Sequence, residues 1–174
     1  MENPEYKIFF FDESRFGTHS RLGHGWFKTG VRTTVEKKVG FKNFYIYTAL
    51  EYKTGKEFSV FASHVDTSCM NIFLAEFAEW LKNDNAFIIM DQAGWHKSKD
   101  LKVPQNIRII YLPPYSPELN PVERFWQYIK DNVLKNKIFE DLQSLQDALS
   151  VFIDLIDPST TLSICNTSYL SRYF

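Results

Sequence analysis

Three acidic side chains, Asp12, Asp91 and Glu123, stand where separate predicted elements end or begin. Asp12 and Asp91 each follow a short apolar run typical of a buried strand, and Glu123 follows a proline-rich run and opens an amphipathic segment. Carboxylates are hard oxygen ligands, and Mg²⁺ takes only one or two of them, which leaves positions for water and phosphate oxygens. Two divalent ions held in this way catalyse phosphoryl transfer. The residue types therefore predict a metal-dependent site that acts on phosphate esters.

Each acid also has a simpler interpretation. An Asp that follows a strand is often a turn or cap residue. Glu123 would occupy the third helical position if Asn120 is the N-cap and Pro121 the first helical residue, and a Glu there bonds back to the backbone N–H of the cap. Sequence position does not separate cap from ligand for Glu123. Glu13 is not expected at the site, because adjacent residues of a strand point to opposite faces.

Further candidates lie around these acids and are mostly basic or polar. Residues 15–42 contain seven Lys or Arg and one acid, a net charge of +6, within a chain whose net charge is −1. Such a segment after Asp12 would hold phosphates while the acids hold metal, although a solvated loop is the alternative. Candidates for contact with the acids or with a nucleic-acid backbone are His96, Lys97, Arg15, Lys28, Asn120 and Arg124. Trp26 and Tyr115 could stack on bases, but core or loop packing is the simpler expectation.

Composition bounds the class of protein. The 174 residues suit one domain, residues 1–174, and 44% hydrophobic content with 17% aromatic residues is ample for one core. The longest apolar runs are too short to span a bilayer, and the N-terminus lacks the features of a signal peptide. Cys69 and Cys165 are widely spaced and form no CxxC motif. A reduced, cytoplasmic protein without structural zinc or membrane association is expected.

Periodicity predicts the elements that position the acids. Residues 13–38 are rich in Gly, Ser, Thr and Arg and are predicted to be loop-like with short strands. A helix with Asp66 or Thr67 as its cap is predicted over 70–81. The remaining predictions are strands at 6–11, 44–51, 57–63, 86–90 and 107–112, and helices at 122–133 and 142–156. Antiparallel strands followed by parallel crossovers predict an α/β fold, a mixed sheet with helices on both faces.

Four motifs, in this order, resemble the DDE catalytic domain of transposases, and more narrowly bacterial insertion-sequence members of the Tc/mariner superfamily. They are residues 9–14 (FFFDES), 25–30 (GWFKTG), 90–96 (MDQAGWH) and 112–123 (LPPYSPELNPVE). The last motif is long and specific. Asp91 and Glu123 have 31 residues between them, a separation of the kind this family shows. The resemblance extends from about residue 6 to residue 156.

The resemblance implies a ribonuclease-H-like fold in which Asp12, Asp91 and Glu123 are the triad that binds two Mg²⁺ or Mn²⁺. It implies DNA cleavage at transposon ends, followed by attack of the freed 3′-hydroxyl on target DNA. Strand transfer is implied by the family, whereas the residues by themselves indicate a metal-dependent nuclease. DNA is then the partner, and a homodimer is expected because two ends must be joined.

One departure from the family concerns the N-terminus. Transposases of this type carry N-terminal helix-turn-helix domains, whereas the first predicted strand of this chain begins by residue 6. These domains are expected to be absent, and a separately encoded N-terminal half is a candidate partner for recognising the ends. Two other functions stay open on the sequence. One is a ribonuclease-H-like nuclease without strand transfer, and the other is an inactive remnant that binds DNA or a partner and regulates transposition.

Overall fold

A five-stranded mixed sheet in the order β3-β2-β1-β4-β5 lies at the centre of this computed structural model, which describes residues 6–18 and 42–165. The strands are β1 (Tyr6–Gly17), β2 (Asn43–Glu51), β3 (Glu57–Ala62), β4 (Asn85–Met90) and β5 (Ile107–Tyr111). The helices are α1 (Thr67–Leu81), α2 (Val122–Ile129), α3 (Leu142–Asp154) and α4 (Pro158–Cys165). Short 3₁₀ turns occupy Gly94–Lys97 and Pro117–Leu119, and a π-helical turn, Lys130–Leu134, continues α2.

Strand β1 is the junction between the parallel and antiparallel parts of the sheet. It pairs in parallel with β4, where the last pair is Phe10 with Ile89, and antiparallel with β2 as far as Gly17. Asp12 lies opposite Thr48 within this antiparallel part. Residues 13–17, predicted to be loop-like with short strands, instead continue β1, because β2 satisfies their backbone N–H and C=O groups.

Helices cover both faces of the sheet, as predicted. Because side chains alternate along a strand, β1 sends Phe9 and Phe11 to one face and Phe10 and Phe16 to the other. The first face packs against α1 through the buried residues Met70, Phe73, Leu74, Phe77 and Leu81. The second packs against α2, α3 and α4 through the buried residues Val122, Phe125, Trp126, Ile129, Leu145, Leu149, Ile153 and Cys165. These faces are called the α1 face and the α2 face below.

Helix caps follow the sequence closely. The Asp66 side chain accepts a hydrogen bond from the backbone N–H of Cys69 at 2.8 Å, which confirms Asp66 as one of the two predicted caps of α1. Asp141 caps α3 in the same way, from the N–H of Ser144 at 2.8 Å. Helix α3 ends at Asp154, two residues before the predicted end. The helix predicted over 122–133 is α-helical to Ile129 and then widens into the π turn.

Helix α4 was not predicted and packs locally on the turn between β2 and β3. Gly55 in that turn has φ +75, and a Cβ there would lie 2.1 Å from the carbonyl oxygen of Pro158, so glycine is required for both reasons. No single helix among the described residues is long and apolar enough to cross a membrane. Helices α3 and α4 would pass that test as a pair on length and composition, with a bend of 97° between them.

Candidate active site

A cleft of about 470 Å³ opens beside the end of β4, and the structure brings all three predicted acids to its wall. Asp12 comes from β1, Asp91 is the residue after β4, and Glu123 lies in the first turn of α2. The other lining residues are Gln92, Ala93, Leu112, Pro113, Pro114, Tyr115, Ser116, Pro117 and Asn120. Three carboxylates from three separate elements therefore face one concave space.

Asp12 is the most enclosed of the three acids. Its Oδ2 accepts a hydrogen bond at 3.0 Å from the indole Nε1 of Trp126, a side chain of the α2-face core. Burial raises the pKa of the Asp12 carboxyl well above its usual range, and the negative charges of Glu123, Glu13 and Asp91 raise it further. Burial is thus the main cause of the raised pKa of Asp12, and the neighbouring negative charges add to it.

The Asp91 side chain is held by groups of the turn that follows it in the chain. Its Oδ1 accepts the backbone N–H of Ala93 at 3.0 Å and lies 2.8 Å from Nδ1 of His96. The Asp91 side chain is still 61% exposed. Both contacts use Oδ1, so Oδ2 is left for a ligand in the cleft.

His96 is a buried neighbour of this acid, with 1% of its side chain exposed. Its Nε2 lies 3.4 Å from Oε2 of Glu13, a separation long for a hydrogen bond. Burial acts to lower the pKa of His96, but the approach of Glu13 and the charge of Asp91 outweigh it and raise the pKa above its ordinary value.

Glu123 lies in the first turn of α2 and is exposed. The capping-box alternative requires a bond from Glu123 to the backbone N–H of Asn120, but that N–H donates to the carbonyl of Pro117 at 2.9 Å. Asn120 itself caps the helix, because its Oδ1 accepts the N–H of Val122 at 3.2 Å. Glu123 is thus not engaged as a cap in this structure and remains available as a ligand.

Asn120 also ties the proline-rich loop to the sheet. Its side chain is buried, and its Nδ2 donates to the carbonyl oxygen of Phe11 at 2.8 Å, one residue before Asp12. The same amide therefore fixes the start of α2 relative to β1. This explains how the loop places Glu123 opposite Asp12.

Tyr115 stands out from the loop at the mouth of the cleft. Its backbone has φ +57, a left-handed conformation unusual for a tyrosine, and its side chain is fully exposed. The expectation that Tyr115 packs in the core or anchors the loop is wrong, because the turn between Pro114 and Ser116 directs the ring into solvent.

A divalent cation fits the chemistry of this donor set. As the side chains are placed, no three His, Cys, Asp or Glu residues in the described part of the chain converge tightly enough to hold a metal ion. All three acids are nevertheless hard oxygen donors on one cleft. The charges of Glu123 and Asp91 add to burial in raising the pKa of Asp12, and a cation would offset that part of the effect. Glu123 is exposed, and none of its described contacts restrains its side chain, so rotation can bring its carboxylate towards Asp12.

The other predicted residues are dispersed. Lys97 donates to Oε1 of Gln92 and lies over the ring of Tyr111 at 5.4 Å, and Nη1 of Arg124 donates to the carbonyl of Cys165 at 2.9 Å. Arg15 is exposed on β1, and neither it nor these two residues line the cleft. Lys28, Trp26 and the motif at 25–30 lie outside the described residues. Contact of these side chains with DNA stays a prediction.

Three side chains at the site were missed by sequence reasoning. Trp126 and Trp95 were not among the predicted site residues, but both indole N–H groups donate to acids of β1. Glu13 was excluded because it points away from Asp12. That direction is correct, and Glu13 nevertheless approaches Asp91 through His96 on the α1 face. The adjacent acids Asp12 and Glu13 could have indicated this support, since the second acid faces a buried layer and requires a partner there.

Comparison with known families gives the class of protein. The sequence matches the family described as DDE superfamily endonuclease over residues 7–146. The match covers well over half of the 174 residues. The chain therefore belongs to the DDE superfamily endonucleases.

Two proteins are similar to this chain in sequence. An uncharacterized protein, y4pE/y4sA, of Sinorhizobium fredii (strain NBRC 101917 / NGR234) is 44% identical over 102 residues, which cover 58% of this chain and 76% of that protein. The insertion element IS630 uncharacterized 39 kDa protein of Shigella sonnei is 26% identical over 161 residues. That alignment covers 90% of this chain and 47% of the relative. The second of these relatives is a protein of an insertion element.

Solved structures share the fold. The Mos1 strand transfer complex contains a chain that superposes with a TM-score of 0.72 at 14% identity, covering 92% of this chain and 51% of that one. A Mos1 mariner paired-end complex with Mn gives the same TM-score and identity over 92% and 52%. The chain thus spans about half the length of these proteins and of the IS630 relative. The ribonuclease-H-like fold and the resemblance to Tc/mariner-type DDE transposases are confirmed.

Proposed function

We propose that this chain is the catalytic domain of a transposase, which cuts DNA at transposon ends and joins the freed 3′-hydroxyl to target DNA. The observation that supports this most strongly is the position of Asp12, Asp91 and Glu123 on one cleft, each from a different element. Membership of the DDE superfamily endonucleases and the insertion-element relative point to the same chemistry. We further propose that residues 1–174 act as one domain.

The cofactor in this proposal is a pair of Mg²⁺ or Mn²⁺ ions held by Asp12, Asp91 and Glu123. Two Mos1 paired-end structures are described as complexes with Mn and with Mg. Such ions would activate an attacking hydroxyl and neutralise charge on the leaving oxygen. The ions would also offset the mutual repulsion of the carboxylates, which adds to burial in raising the pKa of Asp12.

The protein's own contribution is to hold the Asp12 and Asp91 side chains in place and to position the turn that carries Glu123. The Trp126 indole fixes Oδ2 of Asp12, and the N–H of Ala93 with the His96 ring fixes Oδ1 of Asp91. Asn120 sets the distance between β1 and the turn that presents Glu123. Donors positioned by such supports lose little freedom when a ligand binds, which favours catalysis.

DNA is the proposed partner, and the chain would act as a homodimer when two ends are joined. The Mos1 structures include a strand transfer complex and a paired-end complex with the left transposon end. A separately encoded N-terminal half is a further proposed partner, which would supply recognition of the end sequences. The exposed Lys97 and the basic residues of 15–42 are candidates for contacts with the phosphate backbone.

An end-joining assay tests the proposal. Duplex oligonucleotides with recessed 3′-hydroxyl ends are incubated with supercoiled plasmid, the protein and Mn²⁺, and Asp91→Asn serves as the matched control. Joined products that require Asp91 support a transposase. Nicked plasmid without joined products would instead assign a nuclease without strand transfer. Absence of both products, together with Mn²⁺ binding that does not depend on Asp91, would assign an inactive remnant.

A further inference from the structure

Glu13 is a buried acid for which the cleft has no direct use. It follows Asp12 on β1 and points to the α1 face, where 10% of its side chain is exposed. Its Oε1 accepts a hydrogen bond from Nε1 of Trp95 at 2.8 Å. Its Oε2 is buried without a hydrogen-bond partner. A carboxylate kept in such a place is costly unless another charged group balances it.

The group that faces this oxygen is His96, which lies between two acids. Its Nε2 is 3.4 Å from Oε2 of Glu13, and its Nδ1 is 2.8 Å from Oδ1 of Asp91. Nε2 is likewise buried without a hydrogen-bond partner. The two buried atoms thus face each other, and the same ring contacts Glu13 through one nitrogen and Asp91 through the other.

The ring is also confined from other sides. Phe11 packs edge-on against it with the ring centroids 5.6 Å apart, and the Tyr111 hydroxyl donates to the backbone carbonyl of His96 at 2.6 Å. The N–H of His96 donates to the carbonyl of Ala93 at 3.0 Å. The backbone of the 3₁₀ turn is thus held, and the ring at its centre is contacted by Glu13 at Nε2 and by Asp91 at Nδ1.

We propose that Glu13 is a positioning residue for the metal site, acting through His96 to orient the Asp91 carboxylate. The chain of contacts runs from Glu13 on the closed α1 face, through the imidazole, to Asp91 at the end of β4. Asp91 can be reached from that side because it lies one residue beyond the strand. This inference rests on the proposed role of Asp91 as a metal ligand.

A different interpretation of these contacts is that Glu13 only anchors the Trp95 side chain. The Trp95–Glu13 bond is the shorter of the two contacts of Glu13, at 2.8 Å against 3.4 Å. Trp95→Phe removes that bond and keeps an aromatic ring in place. If anchoring were the role of Glu13, Trp95→Phe would reproduce the effect of Glu13→Gln.

The test is calorimetric titration with Mn²⁺, with the metal-free melting temperature measured for every variant. Glu13→Gln keeps the shape and an acceptor for Trp95 but removes the charge, and a loss of Mn²⁺ affinity of about 10- to 100-fold is expected. Trp95→Phe should stay within about threefold of the wild type, well below that range. Glu51→Gln is the matched control, since Glu51 is a buried acid on β2, away from the cleft, and it should leave the affinity unchanged.

A double-mutant cycle tests whether Glu13 acts on Asp91 through His96. His96→Asn keeps a donor that can reach Asp91 but breaks the connection to Glu13, so adding Glu13→Gln to it should cause no further loss of affinity. Losses that multiply in the double variant would overturn the proposal, as would a Trp95→Phe loss equal to that of Glu13→Gln. If Glu13→Gln does not fold, the cycle is measured with Glu13→Asp, which keeps the charge and shortens its reach.

Failure of the inference and failure of the proposed function give different results. Wild-type Mn²⁺ binding by Asp91→Asn would remove the metal-ligand role of Asp91 itself. Loss of binding in Asp91→Asn with unchanged binding in Glu13→Gln would overturn the role of Glu13 and leave the metal site standing.

Discussion

Asp12 and Glu13 are neighbours on β1, but they lie in different environments on the two faces of the sheet. On the α2 face, Asp12 borders an open cleft that it shares with Glu123 and Asp91. On the α1 face, Glu13 is enclosed by an aromatic layer and contacts the Trp95 and His96 side chains. If Asp12 is a metal ligand and Glu13 positions Asp91, as proposed, strand alternation supplies one acid to the chemistry and one to its support. A DE pair would then serve a single site from both sides of a sheet.

The largest effect should follow from removing an acid on the open face. Asp12→Asn keeps the size of the side chain and its contact with Trp126, but it removes a proposed metal ligand. DNA cleavage in Mn²⁺ should fall by at least about 1,000-fold. Asp147→Asn, which alters an exposed acid of α3, is the control and should cleave like the wild type. Cleavage by Asp12→Asn near the wild-type rate would break the contrast between the faces.

Glu123→Gln should separate ligand from cap. Because the N–H of Asn120 already donates to Pro117, the variant loses no capping bond. The melting temperature should stay within about 2 °C of the wild type, while cleavage falls by about 100-fold or more. A lower melting temperature with retained cleavage would assign Glu123 to the helix instead.

A pair of aromatic substitutions compares the two cores directly. Phe73→Ala on the α1 face removes a fully buried ring and should lower stability by about 3–5 kcal/mol in urea unfolding, with little change in the cleavage rate of the folded fraction. Trp126→Phe on the α2 face should lower stability by only about 2 kcal/mol but reduce cleavage, because Asp12 loses its indole donor. Equal effects of the two variants on cleavage would contradict the assignment of catalysis to the α2 face.

Cys69 and Cys165 should differ in how fast they are alkylated, and this is the smallest of the expected differences between the two faces. Burial raises the pKa of the Cys165 thiol to about 12, from an ordinary value of 9.0, on the α2 face. The protonated thiol thus favours the folded state below pH 9, and this contribution is lost as the pH rises towards 12. At pH 8 in the native protein, iodoacetamide should label the half-buried Cys69 before Cys165, as measured by mass spectrometry. Faster labelling of Cys165 would show that the α2-face core opens more readily.

Local patterns in the sequence predicted the sheet, the helices on both faces and the three acids, because each depends on periodicity or on residues next to a strand end. The continuation of β1 past Asp12 was missed, since its polar residues 13–17 are strand only because β2 pairs with them. The support of the acids was missed for the same physical reason. Trp126 and Asp12 are 114 positions apart in the chain, and His96 meets Glu13 only after the sheet has formed.

The central claim is that Asp12, Asp91 and Glu123 together hold divalent metal. Crystals of the protein soaked in Mn²⁺ and measured near the manganese absorption edge test it most directly. The account predicts anomalous peaks in the cleft, with oxygens of all three acids at coordination distance and the Glu123 side chain turned towards Asp12. An empty cleft in crystals that hold Mn²⁺ elsewhere, or ions bound without these acids, would contradict it.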